Sequence, residues 1–209
     1  MSVSGDFSPW AKEFPVDRLP AIFSVVLDQW PKFKRPTDRR KLENRITNRF
    51  VGHLKRTVKG KYPFNFRFRS KLADPEADTE SGELDIEVFT GLDTDVYFAF
   101  ECKRLHTSPD QTRTTEYVGS GGMGCFISGQ YDGNAGCGGM IGYVMDNDTE
   151  AASNEIDTAI QTHSKSLNIQ NPKNLHLTEI CPHLDRVKQT RHQVKRKNFL
   201  IYHLLLPLN

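Results

Sequence analysis

Nowhere does the chain carry an apolar run approaching the roughly 20 residues that span a bilayer, so no membrane segment is expected and no membrane partner follows. The opening "MSVSGDFSPWAKEF" has neither a basic n-region nor the apolar stretch of a secretory signal, which leads to the expectation of a cytoplasmic protein. Cysteine is scarce. The four, at 102, 125, 137 and 181, form no CxxC pair, which argues against a zinc ribbon and a disulfide framework and leaves buried free thiols as the expectation. The nearest approach to a metal motif, "HLTEICPH" with His176, Cys181 and His183, matches no zinc spacing. Internal repeats, heptads, low-complexity tracts and a convincing linker are missing too. The 209 residues are therefore expected to form one domain, 1–209, large enough to bury a core without staples.

Charge is present in quantity but unevenly laid out around a net of +2. From Lys32 to Lys71 there are 15 Lys and Arg against two acids, Asp38 and Glu43, whereas Asp74 to Glu101 holds ten acids and no base. A dense basic stretch suits a phosphate-facing surface, because each neutralised phosphate releases counterions; it equally suits a solvated helix face.

The apolar spacing predicts the elements. Leu42, Ile46, Phe50 and Leu54 recur at helical steps after Pro36–Asp38 and before Gly60, and "LPAIFSVVLDQW" predicts an additional helix upstream. "YPFNFRFR" alternates like a half-buried strand, "SKLADPEADTESG" reads as a loop, and "ELDIEVFT" and "DVYFAFECKRL" predict a hairpin. "CFISGQY" then predicts a short helix, "GGMIGYVM" a buried strand, "TEAASNEIDTAIQTHSKSL" a helix capped by Thr149, and "NFLIYHLLL" a closing strand. The order predicts an α/β fold, a mixed β-sheet flanked by helices.

The hairpin contains an anomaly. "VYFAFECK" is apolar enough for burial, yet Glu101 and Lys103 occupy one face of it together with Tyr97 and Ala99. With Asp93 at the centre of the connection, Phe89 falls opposite Tyr97, Glu87 opposite Ala99, and Asp85 opposite Glu101. Two facing carboxylates in a buried strand need a cation. Lys103 supplies one charge, and a hard divalent ion such as Mg2+ (or Mn2+), which prefers carboxylates, waters and phosphate oxygens, would supply more. Such an ion polarises a phosphodiester and lowers the pKa of a bound water that Lys103 could orient. A plain ion pair at a strand end is the competing interpretation.

"GELDIEVF" and "FAFECKR", with a basic helix bearing Glu43 upstream, resemble the PD-(D/E)xK, or restriction-endonuclease-like, nuclease superfamily over about residues 37–145. The resemblance implies an αβββαβ core, to which this chain adds an N-terminal helix and a C-terminal helix and strands. It implies Asp85, Glu101, Lys103 and Glu43 as catalytic residues, and Asp85, Glu101 and the backbone carbonyl of Cys102 as metal ligands. Glu87 is a lesser candidate for a second ion. Nucleic acid, DNA above all, is the implied substrate. Arg39, Arg40, Arg45 and Arg49 would contact it from the helix, with Lys55 and Arg56 as further basic positions, and Gln130, with Tyr131 beside it, from the helix after the lysine. The sequence lacks a Pro before Asp85 and a Gln-x-x-x-Tyr after Lys103, which leaves the exonuclease branch unsupported. The stretch from "ECKR" to "GGMIGYVM" is also similar to small bacterial nucleases found near defence genes. One domain leaves little room for a separate sequence reader, so specificity is expected from a partner protein, from DNA structure or from a homodimer.

Two other functions are compatible with the residues. Gly119, Gly121 and Gly124 satisfy G-x-G-x-x-G after a possible strand "TTEYV", with Asp146 downstream, the spacing of a dinucleotide site; close backbone packing explains the same glycines. The other is a nucleic-acid-binding or assembly module that keeps the fold without cleaving.

Overall fold

A computed structural model describes residues 13–33, 43–74, 79–91, 96–107, 113–131 and 135–208, with the side chains of 69–82 excepted. Arg39, Arg40 and Leu42 lie outside the described residues. The fold is α/β. Seven strands form one mixed sheet in the order β1-β2-β3-β4-β7-β6-β5, and no described helix is long and apolar enough to cross a membrane.

After a 3-10 turn at Val16–Arg18, helix α1 (Leu19–Gln29) carries its proline in the first turn, where a missing N–H is tolerated. Helix α2 (Glu43–Val58) buries Ile46, Thr47, Phe50, Val51, Leu54 and Val58. Each large apolar side chain on that stripe contributes roughly 1.5–3 kcal/mol when fully buried. Both helices pack on one face of the sheet, over Ile86, Phe98, Phe100, Ile141, Tyr143 and Tyr202. Trp30 at the end of α1 stacks on Tyr143 and donates its indole N–H to the carbonyl of Pro207 at 2.6 Å, tying the first helix to the last strand.

Strands β1 (Asn65–Asp74) and β2 (Thr79–Phe89) are longer than the alternation of apolar residues predicts. "SKLADPEADTESG" is not simply a loop: the hairpin ladder continues through it to Asp74↔Thr79, with a register shift between Leu72 and Ala73. Main-chain pairing needs no apolar side chains, which is why the polar composition concealed it. Strand β3 (Tyr97–Leu105) pairs antiparallel with β2 and then runs parallel to β4 (Cys137–Val144), which lies parallel to β7 (Lys197–Pro207). Strands β6 (Val187–Val194) and β5 (His176–Leu177) complete the far edge antiparallel.

Helices α3 (Thr114–Val118), α4 (Met123–Ile127) and α5 (Thr149–Thr162) belong to the second face, where Tyr117, Phe126, Ile156 and Ile160 meet Tyr97, Ala99, Met140 and Ile201. "TTEYV" is thus a helix, and the glycine fingerprint does not follow a strand. A β-carbon at Gly119 would stand 2.6 Å from the Thr115 carbonyl oxygen and one at Gly124 2.7 Å from the Gly119 carbonyl oxygen, so these two glycines serve close backbone packing, whereas Gly121 faces open space; the dinucleotide reading loses the strand that it requires. The cap of α5 is Asp148 rather than Thr149; its carboxylate accepts the Ala151 N–H at 2.9 Å.

Candidate functional site

The hairpin register agrees with the sequence as far as it goes. Phe89 pairs with Tyr97, Glu87 with Ala99 and Ile86 with Phe100, and there the β2–β3 ladder ends. Beyond Phe100 the β2 edge of β3 opens into a fork, while on its other edge β3 pairs parallel with β4, Phe100↔Gly139 through Leu105↔Val144. The fork leaves main-chain donors of β3 unclaimed by β2. Asp85 fills one vacancy: its Oδ2 accepts the Cys102 N–H at 2.9 Å. Asp85 and Glu101 therefore do not face each other as a paired rung, as the extrapolated register predicts, because the strands have already parted.

At the same fork Glu101 is buried, 5% exposed, and receives the Lys103 ammonium at 2.5 Å on Oε1. Lys103 also donates to the carbonyl of Cys102 at 3.1 Å and lies 3.6 Å from Glu43 Oε1. Glu43, on the first residue of α2, accepts the Arg104 N–H on Oε2 at 2.8 Å. The fold thus brings the four predicted residues Glu43, Asp85, Glu101 and Lys103 together from one helix and two strands. Beneath them Thr47 Oγ1 and Tyr143 Oη lie 3.1 Å apart, and Tyr143 donates to Cys102 Sγ at 3.6 Å, linking α2 to β3 through β4.

The electrostatics follow from burial. Desolvation, then the neighbouring Asp85, push the Glu101 carboxyl up to about 8 against the opposing pull of Lys103 and Tyr131. Desolvation also raises Glu43, against Lys103 and the Arg104 N–H. Burial alone would lower the Lys103 ammonium, but Glu101 and Glu43 outweigh it and hold Lys103 firmly protonated. Cys102 is fully buried and its thiol is pushed well up by desolvation and Asp85, so only its backbone carbonyl is available to a ligand.

Sequence reasoning passed over Tyr131 as a partner of the centre. Its hydroxyl donates toward Glu101 Oε2 at 3.0 Å and lies 2.8 Å from the Glu83 carbonyl oxygen. The one phenolic proton is shared between these two acceptors, and its share on Glu101 favours the carboxylate form. The sequence marks Tyr131 only as a neighbour of Gln130 facing nucleic acid, whereas it reaches the site from the turn after α4.

Other predicted residues stand elsewhere. Glu87 is buried beneath Arg67, whose Nη2 donates to it at 2.8 Å while stacking over Phe89, so Glu87 serves an ion pair and is not placed as a ligand for a second ion. Arg45 and Arg49 occupy the exposed face of α2 with Lys55 and Arg56. Arg49 and Arg56 line a groove of about 560 Å³ with Lys32 and His53. Gln130 lies in the turn beyond α4, not on a helix.

Among the described residues no three His, Cys, Asp or Glu side chains stand close enough to hold a metal ion as placed, His176, Cys181 and His183 included. A cation at the fork would rest on two carboxylates and a carbonyl, with the remaining positions open to water or phosphate, a donor set that suits Mg2+ or Mn2+. No protein-family model, no curated protein and no solved structure matches the chain.

Proposed function

We propose that the chain is a divalent-metal-dependent nuclease of the PD-(D/E)xK, restriction-endonuclease-like type, hydrolysing phosphodiester bonds of nucleic acid, DNA first. The observation that carries this reading is the convergence of Asp85, Glu101, Lys103 and Glu43 at the fork where β2 parts from β3. The run α2-β1-β2-β3, short helices and β4 supports it, having the αβββαβ order of that core.

Three carboxylates against one ammonium in a largely buried cluster leave the site short of positive charge. The upward shift of Glu101 expresses that shortage, since a bound proton or cation relieves it. Asp85, Glu101 and the Cys102 carbonyl are the groups that would hold Mg2+ or Mn2+, and the ion would supply Lewis-acid polarisation of the phosphodiester and a bound water of lowered pKa. The chain's own residues do the rest. Glu43 and Glu101 keep Lys103 charged and aimed, so that its ammonium can orient the attacking water. Asp85 is fixed by the Cys102 N–H, and Tyr131 fixes Glu101. Arg45, Arg49 and Arg56 present charge to the substrate's phosphates.

A second reading draws on the ion pair itself. Lys103 already bonds both Glu101 and the Cys102 carbonyl, an arrangement that also suits a non-cleaving nucleic-acid-binding module. A panel of supercoiled, linear and branched DNA and of RNA, with Mg2+ or Mn2+ and chelator controls, separates the two. Metal-dependent cleavage is expected. Binding without cleavage would transfer the conclusion to the module, and neither binding nor cleavage would overturn both.

A further inference from the structure

The β6–β7 connection is a two-residue turn, Lys195 and Arg196, closed by the pair Val194↔Lys197. Both turn residues are left-handed, with φ of 48° and 65°. Tight hairpins of this kind favour Asn-Gly, and a left-handed L residue without that chemistry costs roughly 1–2 kcal/mol. Burial does not offset the cost, because Lys195, Arg196 and Lys197 are all exposed. Nor does pairing, since none of the three forms an ion pair among the described residues. What the turn achieves is three consecutive cations at a rigid tip.

The tip leans on the turn after α4. A β-carbon at Gly129 would stand 2.8 Å from Lys195 Cε, so the lysine stem lies directly on that glycine. Beside the two turns runs a groove of about 500 Å³ whose lining includes Lys195, Lys197, Asn198, Gly129 and Tyr131, with Glu13 as the one acid among the described lining residues. Tyr131 is the link to the candidate centre, through its hydroxyl on Glu101.

We propose that this tip binds the phosphodiester backbone of a nucleic-acid strand and guides it along the groove toward the β2–β3 fork. Cations supply the phosphate contacts. The proposal rests on the nuclease reading for its choice of polyanion.

The test is a salt series of binding to fluorescent single-stranded and duplex oligonucleotides in chelator, comparing the intact chain with Lys195→Asn/Arg196→Gly. The substitution installs favoured turn residues, so Tm holds or rises while affinity falls on the order of tenfold and the salt slope shrinks by about one to two. Equal affinity and slope would overturn the proposal, as would an intact chain that binds no oligonucleotide. Should the double variant unfold, Lys197→Gln, outside the left-handed turn, is held to the same criteria. Cleavage by the intact chain is scored separately: a chain that cuts but binds unchanged without its tip cations refutes the tip alone, and one that binds through the tip but never cuts refutes the nuclease alone.

Discussion

Asp85 Oδ2 accepts the backbone N–H of Cys102 at 2.9 Å, just beyond the last paired residues of β2 and β3. The carboxylate thus has two duties, closing the ladder at the fork and offering its remaining lone pairs to a ligand. Asp85→Asn keeps an acceptor for the N–H and is expected to fold with stability near that of the parent but without cleavage. Asp85→Ala orphans a buried donor as well and should lose about 1–3 kcal/mol. Urea denaturation beside a plasmid-cleavage assay checks both, and cleavage surviving in Asp85→Asn would remove Asp85 from the catalytic set.

Lys103→Ala should abolish cleavage while leaving nucleic-acid affinity nearly unchanged, because phosphate contacts elsewhere dominate binding. Single-turnover cleavage and fluorescence anisotropy measure the two effects. Retained cutting would count against the assigned role.

The buried Glu101 carboxyl predicts a pH dependence. Its proton is held in the folded state up to about pH 8 but released near 4.5 in the unfolded chain. The stability this proton provides is complete below about 4.5 and lost as pH rises through about 8, because the unfolded state then binds fewer protons than the folded one. Between those limits the parent's Tm is expected to fall with pH more steeply than that of Glu101→Gln, which titrates nothing there. Cleavage should rise with pH along the same limb, and raising Mg2+ should move the limb to lower pH because the cation competes with the proton. A limb indifferent to metal concentration would exclude Glu101 as a ligand.

Tyr131→Phe removes the hydrogen bond that pulls Glu101 downward. The cleavage limb should move to higher pH, with a stability loss of about 1 kcal/mol. A pH–rate profile unchanged from the parent would show that the tyrosine does not act on Glu101.

Away from the site, Thr190 Oγ1 bridges His192 Nε2 at 2.7 Å and His203 Nε2 at 2.9 Å, all three residues buried. Thr190→Val leaves two imidazole nitrogens without that partner and should cost about 2 kcal/mol, with cleavage retained below the lowered Tm. Loss of cleavage in folded variant protein would tie this network to the centre.

Periodicity within the chain determined much of the architecture: the apolar stripe of α2, the strands β3, β4 and β7, and the hairpin pairs Phe89↔Tyr97 and Glu87↔Ala99. These are local properties, because helical and extended backbones repeat their side-chain directions at short fixed spacings. Glu101 and Lys103 were conspicuous for the same reason, as charges within an apolar alternation. Tertiary structure alone decided where the β2–β3 ladder stops and that β4, more than thirty residues downstream, pairs along the other edge of β3, because neither leaves a mark on the local spacing. The end of the β2–β3 ladder turns Asp85 onto the Cys102 N–H, beside the place where α2 brings Glu43 to Arg104 and Lys103 and a distant turn brings Tyr131 to Glu101. It also lies behind the failed expectations for Asp85↔Glu101 as a rung. Glu87 went to Arg67 across β1 instead of to a ligand, since a buried carboxylate takes the nearest cation the fold supplies, and only the assembled sheet specifies which cation that is.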